Sequence, residues 1–290
     1  MSILVFGQNG QLGKCLRDTQ PQGMEVFYSG RADVDLCNTQ CLERYLDEKR
    51  PDVIINAGAY TEVDIAEKES KKAFLVNCDA PSVMARYAES KNKRLLHIST
   101  DYVFDGLKAS PYVPDDQTNP LSEYGKSKRG GEIAVSELSP ENSVVIRTSW
   151  LYSEYGSNFV KKILAIMAKQ SEIKVVNDQR GSPTYARTFA EVIWRIVKKK
   201  DFVSGIYHWA NSGDVSWFEF AETIKRIALS KGILESDPVI LPLTSSDYPA
   251  KALRPYFSVL DSSILSEYAQ LAPIAWNADL EKMLDRYTPN

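Results

Sequence analysis

Histidine and cysteine are scarce in this 290-residue chain: two histidines, His97 and His208, and four cysteines, Cys15, Cys37, Cys41 and Cys78. The cysteines fall irregularly in the first quarter, and with so few histidines they form no zinc-ligand spacing. They read as free thiols, and no metal site is expected. Basic residues are not in excess, since 35 Lys and Arg stand against 38 Asp and Glu, a formal charge of −3 with the cations scattered. That leaves no electrostatic footprint for nucleic acid or an anionic membrane surface. Long apolar runs are missing too. Nothing approaches the roughly 18 residues needed to cross a bilayer, and the opening "MSILVFG" lacks the charged segment and cleavage site of a secretory leader. A cytoplasmic protein is expected. With 43% hydrophobic and 25% charged residues, the chain can build one large domain or two intimate ones.

Short apolar runs alternate with longer amphipathic ones in the first half. Residues 3–7, 25–29, 52–58, 94–99 and 143–149 are predicted as strands, and segments between them, such as 73–91, as helices. Strands apolar on both faces belong in a parallel sheet covered by helices on each side, so an α/β fold of the Rossmann type, doubly wound, is predicted. The rhythm loosens after Trp150. Helices are expected at 157–170, 186–199, 216–231 and 277–286 and a short strand at 205–211, with turns at 177–184 and a proline-punctuated stretch at 238–255.

Directly after the first strand comes "GQNGQLG", with glycines at 7, 10 and 13, followed by a helical run. Gly7 allows a tight turn, Gly10 lets backbone amides approach a pyrophosphate, and Gly13 lets the helix pack on the sheet, whose N-terminus then favours an anion. Dinucleotide binding follows. The second strand ends in Ser29, Gly30 and Arg31, where an NAD-selective fold would carry an acid; an arginine can instead pair with a 2′-phosphate. The expected cofactor is NADPH, with NADH left open, and an exposed loop arginine is the plainer alternative. Asp35 would contact the adenine amino group or cap the helix near Thr39. The third strand ends in the small residues Ala57, Gly58 and Ala59, then Tyr60 and Thr61, leaving room for a flat ligand against bare backbone. Residues 1–150, with returning segments near 184–211, are assigned to the cofactor, and 151–290 mainly to substrate.

At the end of the fourth strand stand Ser99, Thr100 and Asp101, where ligands bind in open α/β sheets. Tyr124 and Lys128 follow in "LSEYGKSKRGGE", four residues apart and so neighbours on a helix. With "GQLG", "AYTEVDIAE", "STDYVFDG", "RTSWLY", "NDQRGSPT" and "ALRP", they resemble the dTDP-4-dehydrorhamnose reductase family of the extended short-chain dehydrogenase/reductase superfamily, across nearly the whole chain.

The resemblance implies NADPH-dependent reduction of the 4-keto group of dTDP-4-dehydro-L-rhamnose. Reduction of a ketone leaves an alkoxide that must take a proton, and Tyr124 would supply it. Lys128 would lower the phenol's pKa and reach the nicotinamide ribose; Thr100 would hold the carbonyl or the phenol. Gly130 and Gly131 would make room for close packing. Cofactor contacts are expected from Gly7, Asn9, Gly10, Gln11, Leu12, Gly13, Ser29, Arg31, Asp35, Leu36, Ala57, Gly58, Ala59, Tyr60, Thr61 and Asn77, with Tyr124 and Lys128. Thr100, Asp101 and Trp150 would face the sugar, and Asn158, Gln179, Arg180 and Arg254 the thymidine diphosphate, arginines suiting diphosphate oxygens. A core tryptophan and ordinary surface ion pairs are the plainer readings of Trp150 and the arginines. Some members of the family form magnesium-bridged dimers through an acid just after the glycine loop. Here Cys15 stands there, so a monomer is expected. An epimerase or dehydratase of the same superfamily and a non-catalytic NADP-binding subunit are the alternative functions.

Overall fold

Alternation along the first strand decides which helices cover which face. The computed structural model describes residues 1–288. In β1 (Ser2–Phe6), Ile3 and Val5 enter one hydrophobic cluster while Leu4 and Phe6 enter another on the opposite side. The chain continues through α1 (Gln11–Asp18), β2 (Glu25–Ser29), α2 (Thr39–Lys49), β3 (Val53–Asn56), α3 (Val63–Ala66), α4 (Ser70–Phe74), α5 (Ala80–Lys91), β4 (Arg94–Thr100), α6 (Glu123–Leu138) and β5 (Ser143–Thr148). It then runs through β6 (Leu151–Tyr152), α7 (Phe159–Met167), β7 (Glu172–Val176), β8 (Arg180–Gly181), β9 (Thr184–Tyr185), α8 (Ala186–Lys198), β10 (Gly205–His208), β11 (Val215–Ser216), α9 (Trp217–Ser230), β12 (Val239–Leu243), α10 (Ser263–Ala269) and α11 (Trp276–Asp285).

Six strands form one sheet in the order β10-β5-β4-β3-β1-β2, and every neighbouring pair is parallel. These are the six runs predicted as strands. β2 and β3 flank β1, so the winding reverses between β1 and β3 and opens a crevice at their C-terminal ends. Helices α1, α8 and α10 pack against one face and α2, α5 and α6 against the other, which makes the sheet doubly wound.

The helix expected at 73–91 is broken into α4, a π-helical turn at Leu75–Asp79, and α5. Beyond β5 a third hydrophobic cluster joins α7, α9, α11 and the short parallel pair β7/β12. Among the described residues no helix is long and apolar enough to cross a membrane.

Candidate active site

A cleft of about 940 Å³ follows the C-terminal ends of β1, β3, β4 and β5. Its floor begins with the glycine loop. Gly7 has φ +87°, and a Cβ there would lie 2.6 Å from the Ala57 carbonyl oxygen, so only glycine fits. The Gly7 and Gln8 amides donate to the Ser29 carbonyl at 3.0 and 3.1 Å, closing the turn against β2. Gly10 caps α1 with no side chain, and the first turn holds no acid. The first amides of α1 therefore stand free toward the cleft, a cradle that fits a pyrophosphate. Asn9, Gln11, Leu12, Arg31, Leu36, Ala57, Gly58, Ala59 and Thr61 line the same cleft.

Four of the expected cofactor contacts have other occupations. Gly13 lies outside the lining: its Cβ would sit 2.2 Å from the Gly7 carbonyl, so it seats α1 on the loop. Ser29 does line the cleft, but its hydroxyl is bonded to that of Tyr45. Tyr60 turns away, donating to Glu69 at 3.1 Å. Asn77 is buried and spent: its Oδ1 accepts from the Tyr60 amide at 2.9 Å, and its Nδ2 donates to the Tyr60 carbonyl and Ser127 Oγ at 3.0 Å each. Asp35 lines the cleft and accepts from the Cys37 amide at 2.9 Å, while the cap of α2 is Asn38. Ser99, at the end of β4, also lines it, as do Lys72, Glu62 and Thr148, three positions without a local sequence signature.

Two glycines, Gly125 and Gly131, seat α6, which carries the tyrosine and lysine. A Cβ at Gly125 would stand 2.3 Å from the Tyr102 carbonyl oxygen, and one at Gly131 2.1 Å from that of Asn77. At Gly130 the nearest atom is the Cys78 Sγ, at 3.0 Å. Ser122 caps the helix, accepting from the Gly125 amide at 3.1 Å. A buried ion pair ties its middle to β5: Arg147 donates through Nε and Nη2 to the two Glu132 oxygens, at 2.9 Å each.

The cleft brings Tyr124, Lys128, Thr100 and Asp101 together. Lys128 is buried, and its ammonium donates to the Ile98 carbonyl at 2.5 Å. Burial lowers its pKa to about 8, against the Glu132 carboxylate, which holds it up. The phenol of Tyr124 is pushed up to about 12 by burial; Thr100 pulls it down and the Asp101 charge raises it further. This reverses the expected effect of Lys128, because the ammonium is turned to a backbone carbonyl and desolvation dominates the phenol. A phenol held high keeps its proton at neutral pH, the state a proton donor needs.

Asp101 is buried, with Oδ1 accepting from the Thr100 hydroxyl at 3.1 Å and Oδ2 without a donor. Burial raises its carboxyl to about 7. The hydroxyls of Ser99 and Thr148 are likewise buried in the cleft wall without partners, and Thr148 stands opposite Thr100 in the sheet register. Buried polar atoms without partners cost about 1–3 kcal/mol each, so this wall suits a ligand rich in donors and acceptors.

Trp150 forms the opposite wall. Its φ of +44° is rare for a bulky residue. The ring stacks on Trp217 with centroids 3.4 Å apart and planes 6° from parallel, and Gly181 leaves it room, since a Cβ there would lie 2.5 Å from the indole. Asn158 caps α7 and donates to Gln11 Oε1 at 2.8 Å, linking the start of α1 to the second half of the chain.

The other three expected substrate contacts do not line the cleft. Gln179 donates to Ser245 Oγ at 2.9 Å; Arg180 is held by Asp214 at 2.7 Å and Glu219 at 3.1 Å. Arg254 donates to Asp64 at 2.8 Å, and the same carboxylate accepts from the Lys251 and Ala252 amides at 3.0 Å each. Each guanidinium has a carboxylate partner, while Arg254 Nη1 is buried without one. Among the described residues no group of three or more His, Cys, Asp or Glu could hold a metal ion.

A family profile described as RmlD substrate binding domain matches residues 1–289. The dTDP-4-dehydrorhamnose reductase of Aggregatibacter actinomycetemcomitans is 38% identical over 287 residues, 97% of each chain. The crystal structure of a dTDP-4-dehydrorhamnose reductase from Clostridium acetobutylicum superposes with a TM-score of 0.91 at 35% identity, covering 99% of both chains. That of the Bacillus anthracis dTDP-4-dehydrorhamnose reductase in complex with NADP gives 0.91 at 34%, over 98% of this chain and 99% of that one. With the tyrosine, lysine and threonine gathered at one end of the cleft and the glycine loop at the other, the chain belongs to the RmlD substrate binding domain family, that of the dTDP-4-dehydrorhamnose reductases.

Proposed function

We propose that the protein uses NADPH to reduce the 4-keto group of dTDP-4-dehydro-L-rhamnose, giving dTDP-L-rhamnose for surface polysaccharide. One observation carries this reading: Tyr124, Thr100 and Lys128 line the same cleft as a glycine loop whose helix N-terminus is uncapped. The named activities of the relatives and the NADP complex of the Bacillus anthracis protein support it.

NADPH, when bound, supplies the hydride. The amides of Gln11 and Leu12 would hold the pyrophosphate, and Arg31, exposed at the cleft, would pair with the 2′-phosphate and favour NADPH over NADH. Thr100 bonds the carbonyl oxygen of C4 and fixes it for attack. Tyr124 gives that oxygen its proton, and Lys128, one turn along the same helix, would reach the nicotinamide ribose. Asp101, Trp150 and Asn158 face the nucleotide sugar. Residues 1–150 with the segments near 184–211 carry the cofactor, and 151–290 mainly the substrate. The chain works as a monomer without a metal bridge, since Cys15 beyond the glycine loop is fully buried.

Tyr124→Phe tests the mechanism. Turnover should fall by about 10²–10⁴-fold, as for a lost general acid, while the Kd for NADPH holds. Retention of most ketone reduction would sink it. NADPH consumed in proportion to product separates a reductase from an epimerase or dehydratase, which returns its hydride.

A further inference from the structure

The reaction as proposed leaves Tyr124 without its proton inside the cleft. Something must refill it before the next turnover. The structure offers a group that the reduction itself does not use. Asp101 is 2% exposed, and its Oδ2 is buried with no donor. The groups that favour its charged form are the Ser258 and Thr100 hydroxyls and two backbone amides, none of them a cation. A carboxylate there would be poorly compensated, and protonation removes the difficulty.

Its other oxygen touches the catalytic machinery. Thr100 Oγ1 donates to Asp101 Oδ1 at 3.1 Å, a separation that serves a proton moving either way, and the Thr100 hydroxyl lies beside the Tyr124 phenol, whose pKa it pulls down. The Tyr102 amide, donating to Thr100 Oγ1 at 3.2 Å, fixes the middle member. Asp101, Thr100 and Tyr124 therefore stand in sequence along the cleft wall, each with an exchangeable proton.

We infer that Asp101 is the proton reservoir of this site, refilling Tyr124 through the Thr100 hydroxyl after each reduction. The inference rests on the reductase reading. Once Tyr124 has given its proton to the alkoxide, the Thr100 hydroxyl proton passes to the phenolate oxygen and the Asp101 carboxyl proton passes to Thr100. The Asp101 O–H bond breaks, the Tyr124 O–H bond re-forms, and Thr100 ends as it began. Asp101 is left as a carboxylate and takes one proton from water when product leaves. Nothing is oxidised or reduced in these transfers.

Other titratable groups bear on this carboxyl: Tyr102 on its own turn, Tyr124 on α6, and Arg254, beside Tyr102, on the segment after β12. Both tyrosines are held above the neutral range, and Arg254 is paired with Asp64. The other group titrating near neutrality in this cleft is Lys128, at about 8.

The reservoir must be protonated to act, so multiple-turnover rate should fall as pH rises through about 7. In Asp101→Asn, turnover should slow by about 10–100-fold, less than the full loss of a general acid. The falling limb should move up to that of Lys128, while the Kd for NADPH stays put. Burst amplitude in a single turnover should survive in this variant, because Tyr124 starts loaded. Infrared difference spectra of the ligand-free wild type should show a protonated carboxyl band lost as pH rises through neutrality and missing in Asp101→Asn. An unshifted pH profile in Asp101→Asn, or no such band in the wild type, would overturn the reservoir. A wild-type protein that does not reduce the dTDP sugar would overturn the reductase reading instead.

Discussion

Alanine at Gly131 should lift α6 from its seat, whereas alanine at Gly130, one residue earlier, should not. Both changes gain about 1 kcal/mol of helix propensity. They differ in what the new methyl meets. At Gly130 the nearest atom is the Cys78 Sγ at 3.0 Å, which can rotate away; at Gly131 it is the Asn77 carbonyl oxygen at 2.1 Å. That carbonyl cannot retreat easily. Asn77 sits in the π-turn, and its side chain is pinned to Tyr60 and Ser127 by three hydrogen bonds. Forced overpacking of this kind costs about 1–3 kcal/mol, so Gly131→Ala should be destabilised by up to about 2 kcal/mol net. In a chain of this size that lowers Tm by up to about 3 °C. Gly130→Ala should melt at or slightly above the wild type. Tyr124 and Lys128 ride on the same helix, and a displacement near 1 Å costs up to about 10²-fold in rate. Thermal melts by circular dichroism and initial rates of NADPH oxidation measure both effects. A Gly131→Ala protein with wild-type Tm and full turnover would refute the seating of α6 on the π-turn.

Glu132→Ala strands the Arg147 guanidinium, which is 1% exposed, and should cost about 3–5 kcal/mol in urea unfolding. Adding Arg147→Met should recover much of that loss. Lys128→Met should abolish turnover yet stabilise the fold below pH 8 by about 1–3 kcal/mol. Its folded pKa, at about 8, lies below the free value, so the buried charge costs stability at low pH and that cost fades as pH rises through 8 toward the unfolded value. A melt at neutral pH in which Lys128→Met is no more stable than the wild type would contradict this. Arg31→Ser should weaken NADPH binding about tenfold by titration fluorescence and leave NADH nearly untouched. Equal loss for both cofactors would assign Arg31 to the loop alone.

Legibility in the sequence followed the range of the interaction. All six sheet strands stood out as short apolar runs, the four inner ones buried on both faces, and the glycine loop because Gly7 and Gly13 must meet backbone. Tyr124, Lys128 and Thr100 were readable because local spacing and a strand end locate them. What depended on distant partners was not. Arg180 and Arg254 were expected at the diphosphate; neither lines the cleft, and each pairs with a carboxylate, 34 and 190 residues away. The β7/β12 pair was unread, being five residues on each side joined across more than sixty others, one strand carrying Pro242. The π-turn at Leu75–Asp79 was hidden inside a regular amphipathic pattern, since Gly131, far along the chain, packs against it. The direction of the Tyr124 shift also escaped, because desolvation by surrounding elements outweighed the charge four residues away.

The stacked indoles of Trp150 and Trp217 give the cleft an optical property. Two chromophores 3.4 Å apart and nearly parallel couple their excited states, so together they absorb and emit as one unit rather than two. Trp150 belongs to the cleft wall and Trp217 opens α9, so a molecule settling against the first changes its overlap with the second. That change would appear in the near-ultraviolet circular dichroism and in the emission of the unmodified protein. Occupancy of the sugar side can thereby be followed in real time without a label, separately from nicotinamide absorbance.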